Sequence, residues 1–439
     1  KFFHDKLSFN LNVGGNIRRN STNRLENGTK GGLVVEDLFT LSNSKITPYY
    51  TLERRTEKSV RSVYATASFG FNSFFNLDLS ARNDWSSALP ANANSYFYPG
   101  VGASLVFSKF TKHAIPALSY GRLRGNIAQV GEDLGAYLLD LNYPLGTTQW
   151  NGNSTSTTTN TLVDPNIKPS ISTTYEFGGD LRFFKDRLGI SATYYNDDRK
   201  DVILNAPVIS ATGFSRKLLN AGRISKHGIE LTLEATPIKK KNLEWDFSVN
   251  YAQNTTKVDK LDGTATVLYL AGSDYTSAAG NPSRAPGMWA VVGGEYGQLR
   301  GTGIKRNDAG QAILASNGLY QKANNINFGS ILPKYTGGFA TNVRFFQNFT
   351  LSVSGDFVKG GKYYSLSQFW GKYSGLLQET ATLNDKGHSV RDAVIDGGGV
   401  HVFGVDATNK PVDYYVEATN YFHQFGDGNF IDESCIFDL

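Results

Sequence analysis

Two kinds of residue in this chain have the type and spacing to hold a ligand. Trp150, Trp289, Tyr363 and Trp370 lie in or beside stretches rich in Gly, Asn and Ser. Their flat faces could stack a sugar ring while nearby amides and carboxylates hydrogen-bond its hydroxyls, and the same side chains could instead pack one loop against another. The second kind is charged: Glu176, Asp180 and Arg182 fall at even positions of one run, Glu230 and Glu234 in another, and Asp246 in a third. A period of two sets each group on one face of a strand, and these six are expected to be polar residues facing a lumen.

Other chemistries have little footing. The six histidines His4, His113, His227, His388, His401 and His423 are scattered, with no metal-ligand spacing on a helix and no G-x-S-x-G elbow beside them. The run Asp427-Gly428-Asn429 with Asp432 and Glu433 offers oxygen ligands, but its spacing is not that of an EF-hand, and it reads as an acidic turn. Cys435 is the single cysteine, which excludes an internal disulfide. No catalytic residue, metal or cofactor is therefore expected. A net charge of +5 from 44 basic and 39 acidic residues, spread without basic blocks, gives no nucleic-acid footprint.

The elements that would position these residues are long alternating runs. In 171–184, Ile171, Tyr175, Phe177, Leu181 and Phe183 alternate with Ser172, Thr174, Glu176, Asp180 and Arg182. Leu243, Trp245, Phe247, Val249 and Tyr251 alternate with Glu244, Asp246, Ser248 and Asn250, and Phe349, Leu351, Val353 and Phe357 with Thr350, Ser352, Ser354 and Asp356. A tilted strand needs about nine to eleven residues to cross a bilayer, against about five or six for an ordinary strand. The pattern predicts eleven spans, at 5–19, 58–71, 74–84, 96–108, 118–129, 171–184, 187–197, 224–236, 243–254, 333–346 and 349–360.

Connection lengths sort by parity. Asn72-Ser73, Lys185-Asp186-Arg187, Pro237 to Asn242 and Gln347-Asn348 are tight turns and 109–117 a short link, whereas 20–57, 130–170, 198–223, 255–332 and 361–435 are long; 85–95 is the exception. Outer-membrane barrels place short turns on the periplasmic side and long loops outside. Phe69, Phe71, Phe74 and Phe75, then Phe183 and Phe184, then Phe345, Phe346 and Phe349 gather at the tight turns as an interfacial girdle would. Within the long connections, Asn151 to Asn160 reads as a mobile loop tip. No apolar run reaches about 18 residues, so no transmembrane helix is expected, and the negative mean hydropathy suits an alternating barrel.

Eleven strands are an odd number, and an open edge in lipid would leave backbone groups unpaired at several kcal/mol each. The missing strands are expected outside this sequence. The only methionine is Met288, no export signal opens the chain, and 434–439 reads as the start of a strand; the chain is expected to be a fragment.

Several motifs, in order, resemble the SusC/RagA class of TonB-dependent outer-membrane transporters of Bacteroidota. They begin with Tyr64 to Asp84, including Phe74-Phe75, and Arg82-Asn83-Asp84-Trp85-Ser86-Ser87. Tyr98-Pro99-Gly100-Val101-Gly102, Leu123-Arg124-Gly125 and Gln129-Val130-Gly131 follow. The most specific is Asp164-Pro165-Asn166-Ile167-Lys168-Pro169 running into Tyr175-Glu176-Phe177-Gly178, followed by Ala211-Thr212-Gly213, Asn220-Ala221-Gly222 and Gly228-Ile229-Glu230-Leu231. The sequence departs from the pattern at Ser225-Lys226, and at Trp85, where a glycine is usual.

The resemblance implies part of a 22-stranded transmembrane antiparallel β-barrel spanning 1–439, with the plug, the TonB-contacting segment, an N-terminal extension and the final strands outside this chain. It further implies TonB-energised uptake of an oligosaccharide or peptide nutrient in the outer membrane, with a SusD-like surface lipoprotein, the TonB-ExbB-ExbD complex and outer-membrane lipid as partners. A passive porin or structural barrel is the alternative. A barrel hydrolase would need a nucleophile with its histidine, and a soluble β-protein a polar exterior.

Overall fold

The computed structural model describes residues 6–46, 51–111, 114–140, 142–143, 145–208, 211, 213–261, 265–271, 286–346, 348–426 and 430–439. Eleven long strands dominate it. They are β1 (Leu7–Asn27), β2 (Thr51–Phe71), β3 (Phe75–Ser86), β4 (Ser95–Leu105), β5 (Leu118–Glu132), β6 (Ser170–Phe183), β7 (Leu188–Pro207), β8 (Arg216–Lys240), β9 (Leu243–Lys260), β10 (Tyr335–Phe345) and β11 (Phe349–Lys359). In the sheet each is bonded to the next in sequence order, and a short parallel strand, Thr161–Val163, joins the edge of β8. Contacts divide the chain into two units: Lys1–His227 with Leu233–Ala235 and Asp259–Ala265, and Gly228–Thr232 with Thr236–Val258 and Thr266–Leu439.

In the first unit the registers carry one face through every strand. Val13 of β1 faces Ala65 of β2, which faces Ala81 of β3; Leu79 faces Val101 of β4, which faces Ile127 of β5, which faces Tyr175 of β6. These side chains are largely exposed although apolar, with Val13, Val101, Ile127 and Tyr175 all open to the surroundings. A soluble sheet would cover such a face; one that leaves a continuous apolar band uncovered is built for lipid. The second unit repeats the pattern: Trp245 of β9 faces Val343 of β10 and Val249 faces Phe339, while Val343 faces Leu351 of β11.

The tight turns close on left-handed residues. Asn72 and Ser73 have φ of 48° and 55°, and Lys185 and Asp186 have 59° and 65°. Around the first of these, Phe9 packs on Phe69, Phe71 on Phe74 and Phe74 on Phe110 at centroid separations of 4.8, 5.4 and 4.9 Å. Phe345 stacks on Phe349 at the β10–β11 turn, whose Gln347 lies outside the described residues, as do His4, His113, Thr212 and Asp427-Gly428-Asn429.

Two features exceed the expected outline. The strands β1, β2, β7 and β8 run to 21, 21, 20 and 25 residues, well past the predicted spans toward the long-loop end. In β1 the extension Arg18 to Asn27 is polar on both faces except at Leu25, so alternation fades while the ladder of backbone bonds continues; in β7 and β8 the added residues Ile203 and Leu218 pack into a core instead. The long connections are also folded. Val267–Ala271, Gly287–Val291, Tyr296–Ile304 and Lys322–Ser330 form a four-stranded sheet, and Val400–Val405 pairs with Pro411–Val416. Within the stretch Asn151 to Asn160, expected to be a loop tip, Asn151 and Gly152 form the turn of a hairpin between Leu145–Trp150 and Asn153–Ser156, at φ of 48° and 79°. An Asn-Gly pair with both φ positive is the turn that best matches strand twist, and the polar composition around it concealed that signal.

On the lipid face an arginine near the midplane costs about 2–4 kcal/mol, and much less on the opposite face. Val249→Arg is therefore expected to abolish the folded, heat-modifiable species on a cold gel, while Ser248→Arg assembles normally; equal behaviour of the two would contradict the assigned facing.

Candidate functional site

In the first unit the motif at 82–87 builds a polar network on the face opposite the apolar band. The Arg82 Nε donates to Asp84 Oδ1 at 2.7 Å, the Tyr98 hydroxyl donates to Asp84 Oδ2 at 2.7 Å, and Arg82 Nη2 donates to Ser62 Oγ at 2.8 Å. Asp133 joins the next level: Lys58 Nζ lies 2.6 Å from its Oδ1 and also donates to the Leu134 carbonyl, while Ser86 Oγ donates to its other oxygen. Above this sits a core of Ala88, Leu89, Tyr96, Leu134, Ile167 and Leu218, in which Ile167 is fully buried. Gly131 is required there, because a Cβ would meet the Tyr96 ring at 2.4 Å.

The proline-flanked segment 164–169 is thus an anchor. Asn220 clamps it, accepting from Lys168 N and donating to the Lys168 and Asp201 carbonyls, and Asp164 N bonds the Leu218 carbonyl.

The charged residues read from the sequence sit on the polar face, and Glu176, Asp180, Arg182 and Asp246 each meet a residue of a neighbouring strand. Asp180 takes Arg122 Nε at 2.9 Å and Ser191 Oγ at 2.8 Å, with Arg124 Nε at 3.6 Å. Glu176 accepts from Asn126, the Arg182 guanidinium lies over the Tyr120 ring, and Glu234 lies over Gly189. In the second unit Asp246 accepts from Thr236, and Glu230 is exposed. The bonds of Glu176, Asp180 and Asp246 are cross-strand pairs that fix register as well as charge a face.

The second unit holds an open cavity of about 840 Å³. Its walls are the end of the Tyr296–Ile304 strand, the turn Arg306 to Ala312, and the hairpin Val400–Val405/Pro411–Val416. The hairpin is stitched to the turn by Val405 N to the Ala312 carbonyl at 3.0 Å and Leu314 N to the Val405 carbonyl at 2.8 Å. Gly404 allows that approach, since a Cβ there would stand 2.4 Å from the Ala312 oxygen.

Both signs of charge line this cavity. Arg306 is held by Glu433 at 3.0 Å and by the Gly310 carbonyl. His401 lies between two carboxylates, Nδ1 at 3.2 Å from Asp385 and Nε2 at 3.5 Å from Asp413, and stacks on Tyr415 at 4.7 Å with a 5° tilt. The Tyr415 hydroxyl donates to Asp385 and Lys386 Nζ sits 3.4 Å from the Tyr415 ring centre. That hydrogen bond holds the Asp385 carboxyl below its ordinary range, and partial burial together with the bond raises the Tyr415 phenol to about 12. Phe403 presents an open aromatic face beside them. The arrangement suits a ligand with both hydroxyl or amide groups and apolar faces.

Residues 2–393 match the family model described as TonB dependent receptor-like, beta-barrel. The chain belongs to that family. Its strands are those of an outer-membrane β-barrel. Relatives include TonB-dependent receptor P3 of Formosa agariphila, 23% identical over 74% of this chain and 34% of its own length, and P39 of the same organism, 27% identical over 49% and 21%. TonB-dependent receptor SusC of Bacteroides thetaiotaomicron is 28% identical over 32% of this chain and 14% of its own. Among solved structures, the RagAB peptide importer in a closed-closed state superposes with a TM-score of 0.71 at 16% identity, covering 100% of this chain and 46% of that one; the RagAB peptide transporter gives 0.67 at 18%, covering 84% and 41%. The chain therefore spans less than half the length of the relatives it matches.

The receptor's four aromatic candidates are not brought together, and none lines the cavity. Trp150 is in the first unit, 78% exposed on its hairpin. Trp289 stands edge-on to Tyr269 at 5.1 Å, Tyr363 stacks on Phe437 at 5.5 Å while remaining half-exposed, and Trp370 packs against Phe369 and Tyr373. The cavity around Arg306, His401 and Phe403 escaped sequence reading because its long-range pin, the 3.0 Å ion pair of Arg306 with Glu433, leaves no local periodicity. His401 on an alternating run, Val400 to Val405, with Asp413 on the returning strand, was the one local signal.

Lys58 and Asp133 are both mostly buried, at 16% and 14% side-chain exposure, and stripping one partner from such a pair costs about 3–5 kcal/mol. Asp133→Ala is expected to open the receptor's 133–139 segment to limited proteolysis, whereas Glu26→Ala, whose partner Arg24 is exposed, leaves the digestion pattern unchanged.

Proposed function

We propose that the complete protein is a TonB-energised importer of a polar oligomeric nutrient, an oligosaccharide or a peptide, closed from outside by a SusD-like lipoprotein and driven through TonB with ExbB and ExbD. The observation that carries this reading is the folded outer-loop structure. A passive pore needs only a rim, whereas here the segments between β9 and β10 and after β11 form a sheet, a hairpin and helices around a cavity lined by Arg306, His401, Phe403 and Asp413. Family membership supports the energy coupling, and the resemblance to SusC and to the RagAB peptide importer supports the lipoprotein partner and the two substrate classes.

The six charged residues of the polar face then line the lumen, where they keep the wall wet and fix register. Trp150 and Tyr363, with exposed faces, are the aromatic candidates placed to touch a ligand or the lid; Trp289 and Trp370 support the loops that carry the cavity.

Uptake of labelled oligosaccharide and peptide pools by cells making the full-length protein tests this. Uptake should stop on deletion of TonB or addition of a protonophore, and fall about tenfold when His401 and Phe403 are both replaced by alanine, the effect of losing roughly 1.4 kcal/mol of contact. Flux that survives the protonophore would establish a passive pore instead.

A further inference from the structure

Trp85 stands where the sequence departs from the family pattern, and the transport reading gives it no task. It lies on the apolar face of the first unit, directly opposite Arg61 of β2, which in turn is opposite Ile17 of β1. Toward the short-turn end the same face continues with Val63, Ala65, Ala67 and Phe69. Arg61 is therefore the first charge on that strand beyond the lipid band, and Trp85 marks the same level. Tryptophan concentrates at that boundary because its ring is apolar and its N–H wet.

One pair further out, Arg19 of β1 opposite Ser59 adds a second guanidinium on the same face. Among the described residues neither Arg61 nor Arg19 has an ion-pair partner, while Lys58 is turned to the other face and occupied by Asp133. The nearest carboxylate along this face of β2, Glu57, lies beyond Ser59, farther from the band.

Arg61 and Trp85 line a shallow cavity of about 440 Å³ together with Ser59, Ser86, Ser87 and Asn94, and Arg19 flanks it as the register partner of Ser59. Its floor is fixed by two backbone-anchored bonds: Ser59 N donates to Ser87 Oγ, and Ser87 N to the Ser59 carbonyl, both at 2.9 Å. Immediately below, exposed Val63 and Phe97 offer an apolar wall on either side of Asn83, whose amide is turned to Ser95. A planar guanidinium matches a phosphate bidentately, an indole face stacks a sugar ring, and the wall suits acyl chains.

We propose that this cavity binds the phosphorylated saccharide headgroup of an outer-leaflet glycolipid, with Arg61 on the phosphate, Arg19 assisting, Trp85 against the sugar, and acyl chains along Val63 and Phe97. The proposal rests on the lipid facing of the first unit and not on import, so it stands or falls independently of transport.

The test is native mass spectrometry of the full-length, detergent-extracted protein titrated with lipid A, with enzymatically dephosphorylated lipid A, and with glucosamine 1-phosphate. Lipid A should bind at least about tenfold more tightly than either comparator, the value of one charge-assisted phosphate contact. Arg61→Gln should remove that preference, Arg19→Gln should reduce it, and Arg55→Gln, farther out on the same face, should leave it unchanged. Equal binding of the dephosphorylated lipid, or a preference that survives Arg61→Gln, would overturn the proposal. Binding of glucosamine 1-phosphate as tight as that of lipid A would assign the cavity to a soluble sugar phosphate instead. The comparator titrations use the unmodified protein, so they decide between these outcomes even where a variant fails to assemble.

Discussion

Inside a bilayer an unpaired backbone N–H or C=O has no water to turn to, and that constraint governs this chain. It is met by antiparallel ladders through β1 to β6, from Leu7 opposite Phe71 to Ser170 opposite Glu132, with a register shift between Arg182 and Phe183 at the short-turn end of β6. Because side chains alternate with a period of two, a slip of one residue would put Glu176 and Asp180 into lipid and Tyr175 and Phe177 into water. Cross-strand partners guard against it. Asp180 reaches Arg122 on one neighbour and Ser191 on the other, and Trp245 Nε1 donates to Thr341 across the β9–β10 pair.

The same ladder explains how the outer structures are held. The long strands carry their hydrogen bonds past the lipid band, so loops depart from rigid ends. Loops then fold on small cores with buried polar pins. Lys372 is the main one in the second unit: it meets Asp432 at 3.6 Å, Glu379 at 3.3 Å and Ser434, beside the buried Phe369, Phe430 and Cys435. Burial raises the Cys435 thiol to about 12, which keeps it a neutral packing group. Asp432 also caps the turn at Ser434, and Glu433 receives Ile304 N and Arg306, so two of the acidic residues in the 427–433 run are tied into structure. A loop surface ordered in this way loses less entropy on binding.

The eleven strands were legible because a two-sided environment forces alternation that any reader can count. Strand ends were not: beyond Ile17 of β1 both faces meet water, and Asn, Thr and Arg carry no facing signal although the ladder continues to Asn27. The charged face of β6 was legible for the same reason as its apolar one. The outer-loop cavity was not, because it depends on Arg306 meeting Glu433 and on Gly404 lying against Ala312, contacts between segments about a hundred residues apart whose register no local pattern encodes. Aromatic residues singled out by type fared unevenly: Trp370 entered a loop core, while Trp150 stayed exposed. Type alone does not tell a platform from a packing group.

The claim on which the rest depends is that the apolar faces of these ladders meet lipid. Spin labels placed singly at residues 172 to 182 of β6, in the full-length protein reconstituted in bilayers, test it through collisional relaxation by oxygen and by a water-soluble nickel chelate. The account predicts strict alternation, with oxygen favoured at Thr173, Tyr175, Phe177, Gly179 and Leu181 and the chelate at Ser172, Thr174, Glu176, Gly178, Asp180 and Arg182. Uniform accessibility along the strand, or alternation in the opposite phase, would contradict it.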